Sequence, residues 1–227
     1  MTNAIRSPSA KTGITPQNNL ENKPISIVMP TYNRADGLRL AVGQIYQFCD
    51  GSNFEIIVIN DGSSDSTEVV LNEFAQNHSN FRFKSIDNSG PARARNIGAS
   101  MATHEIILFM GDDIIATNAE FIFTHQRLHA QFPNLNFSVL GKAIWPEQSS
   151  IPVNAVMRHI QGSGGEQFGY SDFTPNSTYD WRFFYTCNVS VKKSIVSDWL
   201  IDGFSTDFTA AGFEDGEFAY RMSEQLG

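Results

Sequence analysis

The stretch at residues 106–113 constrains the fold most, because five apolar residues end abruptly at Gly111 and the carboxylates of Asp112 and Asp113. An apolar run without polar alternation predicts a strand that is covered on both faces, as in parallel sheets. Open parallel sheets bind ligands outside the carboxyl ends of their strands. The sequence therefore predicts a site for a cation and a charged ligand beside these two acids.

From residue 24 onward, short apolar runs alternate with amphipathic stretches, which is typical of βαβ units around a parallel sheet. The pattern predicts strands at 25–29, 56–59, 81–86 and 106–110, a helix near 120–131, a further strand near 137–144 and a last helix before residue 227. The predicted fold class is α/β.

The chain divides by regularity into three parts. Residues 1–23 are rich in Ser, Thr, Asn, Pro and Lys and show no apolar period, which predicts a disordered tail. Residues 24–116 carry the regular pattern, and residues 117–227 are less regular. The polar stretch at 146–180 is long enough to predict a binding loop or lid.

Charge and cysteine content exclude several classes of protein. With 16 Lys and Arg against 24 Asp and Glu, the formal charge of -8 argues against nucleic acid as a partner, since phosphate backbones require a basic surface. No apolar run approaches the roughly 20 residues that span a bilayer. Cys49 and Cys187 are far apart and lack metal-ligand spacing, which favours a reduced, cytoplasmic setting. A disulfide between them stays open as an alternative.

Five motifs in order resemble those of glycosyltransferase family 2, and together they are far more specific than any one alone. They are Pro-Ile-Ser-Ile-Val-Met-Pro-Thr-Tyr-Asn-Arg (24–34), Val-Ile-Asn-Asp-Gly-Ser-Ser-Asp (58–65), Gly-Pro-Ala-Arg-Ala-Arg-Asn-Ile-Gly (90–98), Phe-Met-Gly-Asp-Asp (109–113) and Gly-Phe-Glu-Asp-Gly-Glu (212–217). The resemblance implies a GT-A fold, with a Rossmann-like, mostly parallel sheet and helices on both faces. It also implies inverting transfer of a sugar from a nucleoside diphosphate to a hydroxyl of a glycan, lipid-linked or protein acceptor.

The resemblance assigns the two halves different tasks. Residues 24–116 would bind the nucleotide sugar, and residues 117–227 would bind the acceptor and hold the catalytic base. A glycolipid acceptor leaves peripheral contact with a membrane open. Many family members continue past the last helix, so a C-terminal truncation of this chain also stays open.

Several residues are expected to bind the nucleotide. Asp61 follows an apolar strand, and a carboxylate there suits a base with an imino N–H, such as uracil, thymine or guanine. The expected donor is a UDP-sugar. The resemblance adds Pro30, Tyr32 and Arg34, with the Tyr32 ring stacked on uracil. The alternatives are that Asp61 only caps a turn and that Tyr32 only fills the sheet edge.

The diphosphate is expected to lie near Asp112 and Asp113, whose like charges cannot both be buried without a cation. The resemblance makes Asp113 a direct ligand of Mn²⁺ or Mg²⁺ and places Asp112 on ribose or metal-bound water. Gly111 stands where family members often carry another Asp, so this chain offers fewer carboxylates to bind the metal ion. Arg95 is expected to bind diphosphate oxygens. The alternatives are a solvated Arg95 and a pair of acids that begins a helix.

The last motif is expected to supply the catalytic base. Glu214 and Asp215 begin a helix, where the dipole favours carboxylates, and the resemblance makes Asp215 the base and Glu214 an orienting residue. Trp181, beside the polar stretch, and Asn188 are the expected acceptor contacts. The alternatives are helix capping by the two acids, core packing of Trp181 and a purely structural Asn188.

His125 and His129 are four residues apart and could share a metal ion, but they lack the accompanying Glu of the zinc-protease pattern. A place on the surface or packing in the core is the predicted role of both. At the level of the whole chain, two other classes stay open. One is a nucleotide-sugar-binding module without turnover, and the other is a metal phosphohydrolase or nucleotidyltransferase, which the absence of a glycine-rich triphosphate loop disfavours.

Overall fold

The structure is a computed structural model that describes residues 23–49, 53–146, 153–161, 170, 173–174, 177–197, 203–208, 210 and 212–226. The tail expected at 1–23 lies outside the described residues, apart from Lys23, which forms an ion pair with Glu105 at 2.9 Å. Much of the polar stretch at 146–180 also lies outside them.

Strands and helices alternate through the first half of the chain, as the apolar pattern predicts. The strands are β1 (Ile25–Thr31), β2 (Phe54–Asp61), β3 (Phe81–Ile86), β4 (Ile106–Met110), β5 (Val139–Leu140) and β6 (Asn188–Lys192). The helices are α1 (Ala35–Phe48), α2 (Thr67–Asn77), α3 (Pro91–Met101), α4 (Glu120–Gln131), α5 (Ala155–Gln161), α6 (Lys193–Ser197) and α7 (Glu214–Leu226), with a short 3-10 helix at Trp181–Phe183.

Six strands form one sheet in the order β3-β2-β1-β4-β6-β5. The strands β3, β2, β1 and β4 run parallel to one another, with Ile25 opposite both Phe54 and Ile106. Strand β6 runs antiparallel to β4 and to β5. The predicted α/β class and mostly parallel sheet are therefore confirmed. Because β1, β2 and β4 are parallel, their carboxyl ends meet at one edge.

Helices cover both faces of the sheet, which explains why the central strands are mostly apolar. Alternate residues of each strand contribute to opposite layers. The first layer joins Ile27, Ile56 and Leu108 to α1, α2 and α4. The second layer joins Val28, Ile57 and Phe109 to α3, α6 and α7.

The strand expected near 137–144 is much shorter than predicted, and only Val139–Leu140 joins the sheet. A turn in which the Phe137 amide donates to Asn134 O occupies the beginning of this stretch. Gly141 then leaves the sheet where the Asn188 side chain fills the space that a Cβ would need. The helix α5 within the stretch expected as a loop is a second difference.

Gly98 lets α3 lie directly on the sheet, since a Cβ there would overlap Cγ1 of Val28 and lie 3.4 Å from Cγ1 of Ile59. Gly98→Ala should therefore lower the free energy of unfolding by about 1–3 kcal/mol through overpacking. The matched control is Gly43→Ala in α1, where nothing lies within 4 Å of the added Cβ. It should raise that free energy by about 1 kcal/mol through helix propensity. Urea unfolding of both variants tests this, and equal shifts would contradict it.

Candidate active site

The predicted acids and their partners come together at the carboxyl edge of the sheet. Oγ1 of Thr31, at the end of β1, donates to Oδ2 of Asp112 at 2.7 Å. Nη1 of Arg34, in the following loop, donates to Oδ2 of Asp113 at 2.8 Å. Two loops that are 79 residues apart in sequence therefore meet in one polar corner. Burial and the neighbouring charge of Asp113 raise the pKa of Asp112, against opposing effects from Thr31 and Arg34.

This corner fits a divalent cation that takes most of its oxygen ligands from a substrate. Asp113 offers a carboxylate that is 58% exposed, and Asp112 lies beside it. Among the described residues no group of three or more His, Cys, Asp or Glu side chains could hold a metal ion. A side chain at Gly111 would meet Asp113, since a Cβ there would lie 2.8 Å from its Oδ1. Mg²⁺ and Mn²⁺ sites often use one or two carboxylates completed by phosphates and water.

Asn33 fixes the loop that carries Tyr32. Its backbone is left-handed, with φ of 52°, its amide donates to Ser63 Oγ at 2.9 Å and its Oδ1 accepts from the Ser64 amide at 2.7 Å. These bonds tie the loop after β1 to the loop after β2. Tyr32 is half exposed at this edge. The motif Thr-Tyr-Asn-Arg contained the signal for Asn33, since Asn tolerates positive φ.

Asp61 lies at the same edge, but its carboxylate already has two partners. Its Oδ1 accepts from the Ser89 amide at 2.8 Å and its Oδ2 from the Gly90 amide at 2.9 Å. Asp61 thus fixes the turn that leads into α3, and it is buried. A base N–H at this carboxylate would have to share these oxygens with the two amides.

Arg95 contacts another protein side chain instead of standing free for a diphosphate. Its Nη1 donates to Oε1 of Glu214 at 2.7 Å, both residues are buried, and the guanidinium lies 5.7 Å from the Phe204 ring centroid. The second Glu214 oxygen accepts from the Gly212 amide at 2.7 Å. Although burial opposes ionisation, the bonds from Arg95 and Gly212 lower the pKa of Glu214. The expected alternative of a solvated Arg95 does not match this buried position.

Asp215, in the first turn of α7, lies near the same short segment of chain as Asp113. The Thr186 amide lies 3.5 Å from Oδ2 of Asp215, and the Gly111 amide donates to Cys187 O at 3.0 Å. Burial and the charges of Asp113 and Asp215 raise the pKa of the Cys187 thiol to about 12. The two acids therefore both lie near the segment 186–187. Burial and the charge of Glu214 raise the pKa of Asp215.

The two residues expected to contact the acceptor differ in their surroundings. The Trp181 side chain is 37% exposed and meets the Tyr220 ring edge-on at 5.2 Å between centroids. Asn188 is only 2% exposed, and its Oδ1 lies 3.1 Å from Nε2 of His125. In this arrangement Asn188 is held within the sheet layer, in line with the structural alternative. Pro30 is half-buried near the end of β1.

A buried polar ladder joins α4 to β6. Lys192 Nζ donates to His129 Nδ1 at 2.9 Å, so His129 carries its proton on Nε2 and donates to Ser190 Oγ at 2.8 Å. The Ser190 hydroxyl can then donate to His125 Nδ1 at 2.8 Å, and His125 Nε2 donates to Asn188 Oδ1. Each histidine is neutral and has partners at both nitrogens, which confirms the prediction of packing for His125 and His129.

The ladder should make the folded chain less stable in acid. Burial lowers the pKa of His125 to about 4, and burial with the charge of Lys192 lowers that of His129 to about 3, from a usual 6.5. Below pH 6.5 the unfolded chain binds protons that the folded chain does not, so stability falls as pH falls toward these values. At pH 5 the loss should be about 2 kcal/mol per histidine.

Melting temperatures at pH 8, 6.5 and 5 measure this effect. His129→Gln should give a shallower dependence on pH than the unchanged chain. His159→Gln, in exposed α5, is the control and should keep the full slope. An equal slope in all three proteins would mean that the ladder is not its source.

Comparison with known proteins adds to this geometry. Residues 26–121 match the family model described as glycosyl transferase family 2. Validoxylamine A glucosyltransferase of Streptomyces hygroscopicus subsp. jinggangensis is 29% identical over 219 residues, covering 87% of this chain and 51% of that protein. Poly-beta-1,6-N-acetyl-D-glucosamine synthase of Staphylococcus epidermidis is 33% identical over 99 residues, covering 43% of this chain and 24% of that protein.

Solved structures share the fold at low sequence identity. The mannosyltransferase PcManGT from Pyrobaculum calidifontis, in complex with GDP-Man and Mn²⁺, has a TM-score of 0.69 at 17% identity, covering 95% of this chain and 56% of that one. S. aureus TarS 1-349 in complex with UDP has a TM-score of 0.61 at 18% identity, covering 88% and 54%.

The sheet, the two helix layers and these likenesses define an α/β protein of the GT-A fold. Over residues 26–121, the chain is similar to glycosyltransferase family 2. It spans about half the length of the curated relatives that it matches over most of its residues. Among the described residues, no helix combines the length and the apolar character needed to cross a bilayer.

Proposed function

We propose that the chain is an inverting glycosyltransferase that moves a sugar from a nucleoside diphosphate donor, preferably a UDP-sugar, to a hydroxyl of a glycan or glycolipid. One observation carries the proposal, namely that Asp113 and Asp215 both lie near the segment 186–187, close enough for both charges to act on Cys187. In this proposal, the acid for a metal-bound diphosphate and the acid for proton removal belong to one site. Residues 24–116 form the donor half and residues 117–227 the acceptor half in this proposal.

On the donor side, Tyr32 and Asp61 receive the base, and Arg34 with Asp112 orders the loops around the diphosphate. Asp113, with Asp112 beside it, would hold Mn²⁺ or Mg²⁺, which when bound neutralises charge on the leaving diphosphate. Arg34 reaches the same carboxylate and is free to turn toward phosphate oxygens when a metal ion takes its place. Solved structures of the same fold have been obtained with GDP-Man and Mn²⁺ and with UDP, which supports this assignment.

On the acceptor side, Asp215 removes the proton. The acceptor oxygen attacks the anomeric carbon while the bond from that carbon to the diphosphate oxygen breaks, and the hydroxyl proton passes to the Asp215 carboxylate. A single displacement of this kind inverts the anomeric centre and requires no protein nucleophile. Burial raises the pKa of Asp215, which makes it a stronger base than an exposed aspartate.

The nature of the acceptor follows from the surface and from the relatives. Trp181 presents an exposed ring suited to a sugar, and the relatives named above act in glucosylation of validoxylamine A and in synthesis of a polymer of N-acetylglucosamine. A cytoplasmic reaction is part of the proposal, supported by the two free cysteines, and so is peripheral contact with a membrane that carries a glycolipid acceptor.

A UDP-release screen tests the proposal. The chain is mixed with UDP-glucose, UDP-N-acetylglucosamine or GDP-mannose and a panel of acceptors that includes validoxylamine A, with Mn²⁺ and with EDTA. We expect nucleotide release and a glycosylated product with at least one pair, and loss of both in EDTA. Binding of UDP and Mn²⁺ without product would identify a binding module instead. Release of inorganic phosphate in place of UDP would identify a phosphohydrolase.

A further inference from the structure

Phe213 has a combination of exposure and backbone conformation that packing does not explain. Its side chain is 85% exposed, more than that of any other large hydrophobic residue in the described part of the chain. Its backbone is left-handed, with φ of 66°, a conformation that is unfavourable for a bulky residue and natural for glycine. The Phe213 ring is therefore not buried, and its backbone is not in a relaxed conformation.

Neighbouring hydrogen bonds hold Phe213 in this conformation. The Glu217 amide donates to Phe213 O at 2.9 Å, which forms the first turn of α7. On the other side, the Gly212 amide donates to Oε2 of Glu214 at 2.7 Å, and Glu214 is in turn fixed by the buried Arg95. A rigid support under a strained, exposed aromatic residue is typical of functional positions.

The position of Phe213 in the fold points to one kind of ligand. It lies two residues before Asp215, where the acceptor hydroxyl must arrive in the proposed reaction. An aromatic face offers negative π density to the partly positive C–H groups on the apolar face of a sugar ring. Charged groups of the donor diphosphate would gain little from such a surface. A sugar ring of the acceptor is therefore the occupant that matches both the place and the chemistry.

We infer that Phe213 is a binding residue for the acceptor, whose ring stacks on a pyranose and so determines that the acceptor is a sugar rather than a simple alcohol. The inference rests on the proposed function for the identity of the site, and it adds a residue that recognises the acceptor. It also explains why glycine, which the backbone favours, is absent at this position.

Phe213→Gly tests the inference because it removes the ring and relieves the backbone at once. Binding of methyl β-D-glucopyranoside and of methyl N-acetyl-β-D-glucosaminide is measured by saturation-transfer NMR on the full chain with UDP and Mg²⁺. We expect dissociation constants roughly five- to tenfold weaker in Phe213→Gly. Its melting temperature should not fall. Phe213→Tyr, which keeps an aromatic face, should bind the probes as the unchanged chain does.

Val69→Ala, an exposed apolar change on α2, is the control and should alter neither binding nor activity. Equal binding in Phe213→Gly, or no binding of either sugar probe by the unchanged chain, overturns the inference. A UDP titration separates this result from the proposed function. If UDP does not bind but the sugar probes do, and they lose affinity in Phe213→Gly, the proposed transfer fails while the sugar site stands.

Discussion

Replacing Asp215 with asparagine should reduce sugar transfer about 10²- to 10⁴-fold, because an amide cannot take the proton from the attacking hydroxyl. The substitution keeps the size of the side chain, and its Oδ1 can still accept from the Gly216 amide, a bond of 2.8 Å in the structure. Binding of the donor should therefore persist, and the loss should fall on the rate of transfer. UDP titration and initial rates on the same preparation separate the two.

The pH profile gives a second measure of the same role. Burial first, then the charge of Glu214, raises the pKa of Asp215, so the carboxylate should gain its charge at a higher pH than a free aspartate does. Transfer should rise with pH through this pKa and then level. The rising limb should be absent from the residual activity of Asp215→Asn. Glu224→Gln, at the exposed far end of α7, is the control and should keep both rate and profile. An unchanged rate in Asp215→Asn would remove Asp215 from catalysis.

Replacing Arg95 with methionine should lower the free energy of unfolding by about 3–5 kcal/mol, the usual effect of leaving one member of a buried ion pair without its partner. The pair is nearly enclosed, since Arg95 is 9% and Glu214 4% exposed. It joins α3 to the start of α7 across 119 residues of sequence. Urea unfolding measures the loss.

Two further variants give this prediction its sharpest form. Arg95→Met combined with Glu214→Leu removes both charges and should recover much of the stability, because no buried charge is left without a partner. Arg39→Met breaks the exposed ion pair with Glu73 and should have no measurable effect. If the double variant is as unstable as Arg95→Met alone, packing of the guanidinium on Phe204 is the main contribution of Arg95.

The fold was largely predictable from the sequence because its signals are local. The runs at 56–59 and 106–110 are apolar at every position, the run at 25–29 is apolar apart from Ser26, and each forms a strand covered on both faces. The prediction of a strand at 137–144 was wrong for most of that stretch, and the reason is not local. Whether a short apolar run joins a sheet depends on its partner, and among the described residues β5 pairs with β6 alone, which lies about 50 residues later in sequence.

The part of the site that lies at the ends of predicted strands could be located from the sequence. Acids after β2 and β4 were expected at one edge, and the structure places Asp61, Asp112 and Asp113 there. The partners of these acids were not predictable. The contacts of Thr31 with Asp112, Ser89 with Asp61 and Arg34 with Asp113 join segments that are far apart in sequence, and a motif gives no information about which segment is nearest.

The sequence by itself determined the order of strands and helices, the two-sided burial of the sheet and the presence of acids at its carboxyl edge. These properties follow from the periodic spacing of apolar side chains and from turn-forming residues. Both kinds of signal depend on only a few neighbouring positions in the sequence. Only the tertiary structure decided that Arg95 bonds to Glu214, that segment 186–187 joins the surroundings of Asp113 and Asp215, and that Phe213 stands exposed in a strained backbone. Each of these depends on distances between parts of the chain that folding alone brings together.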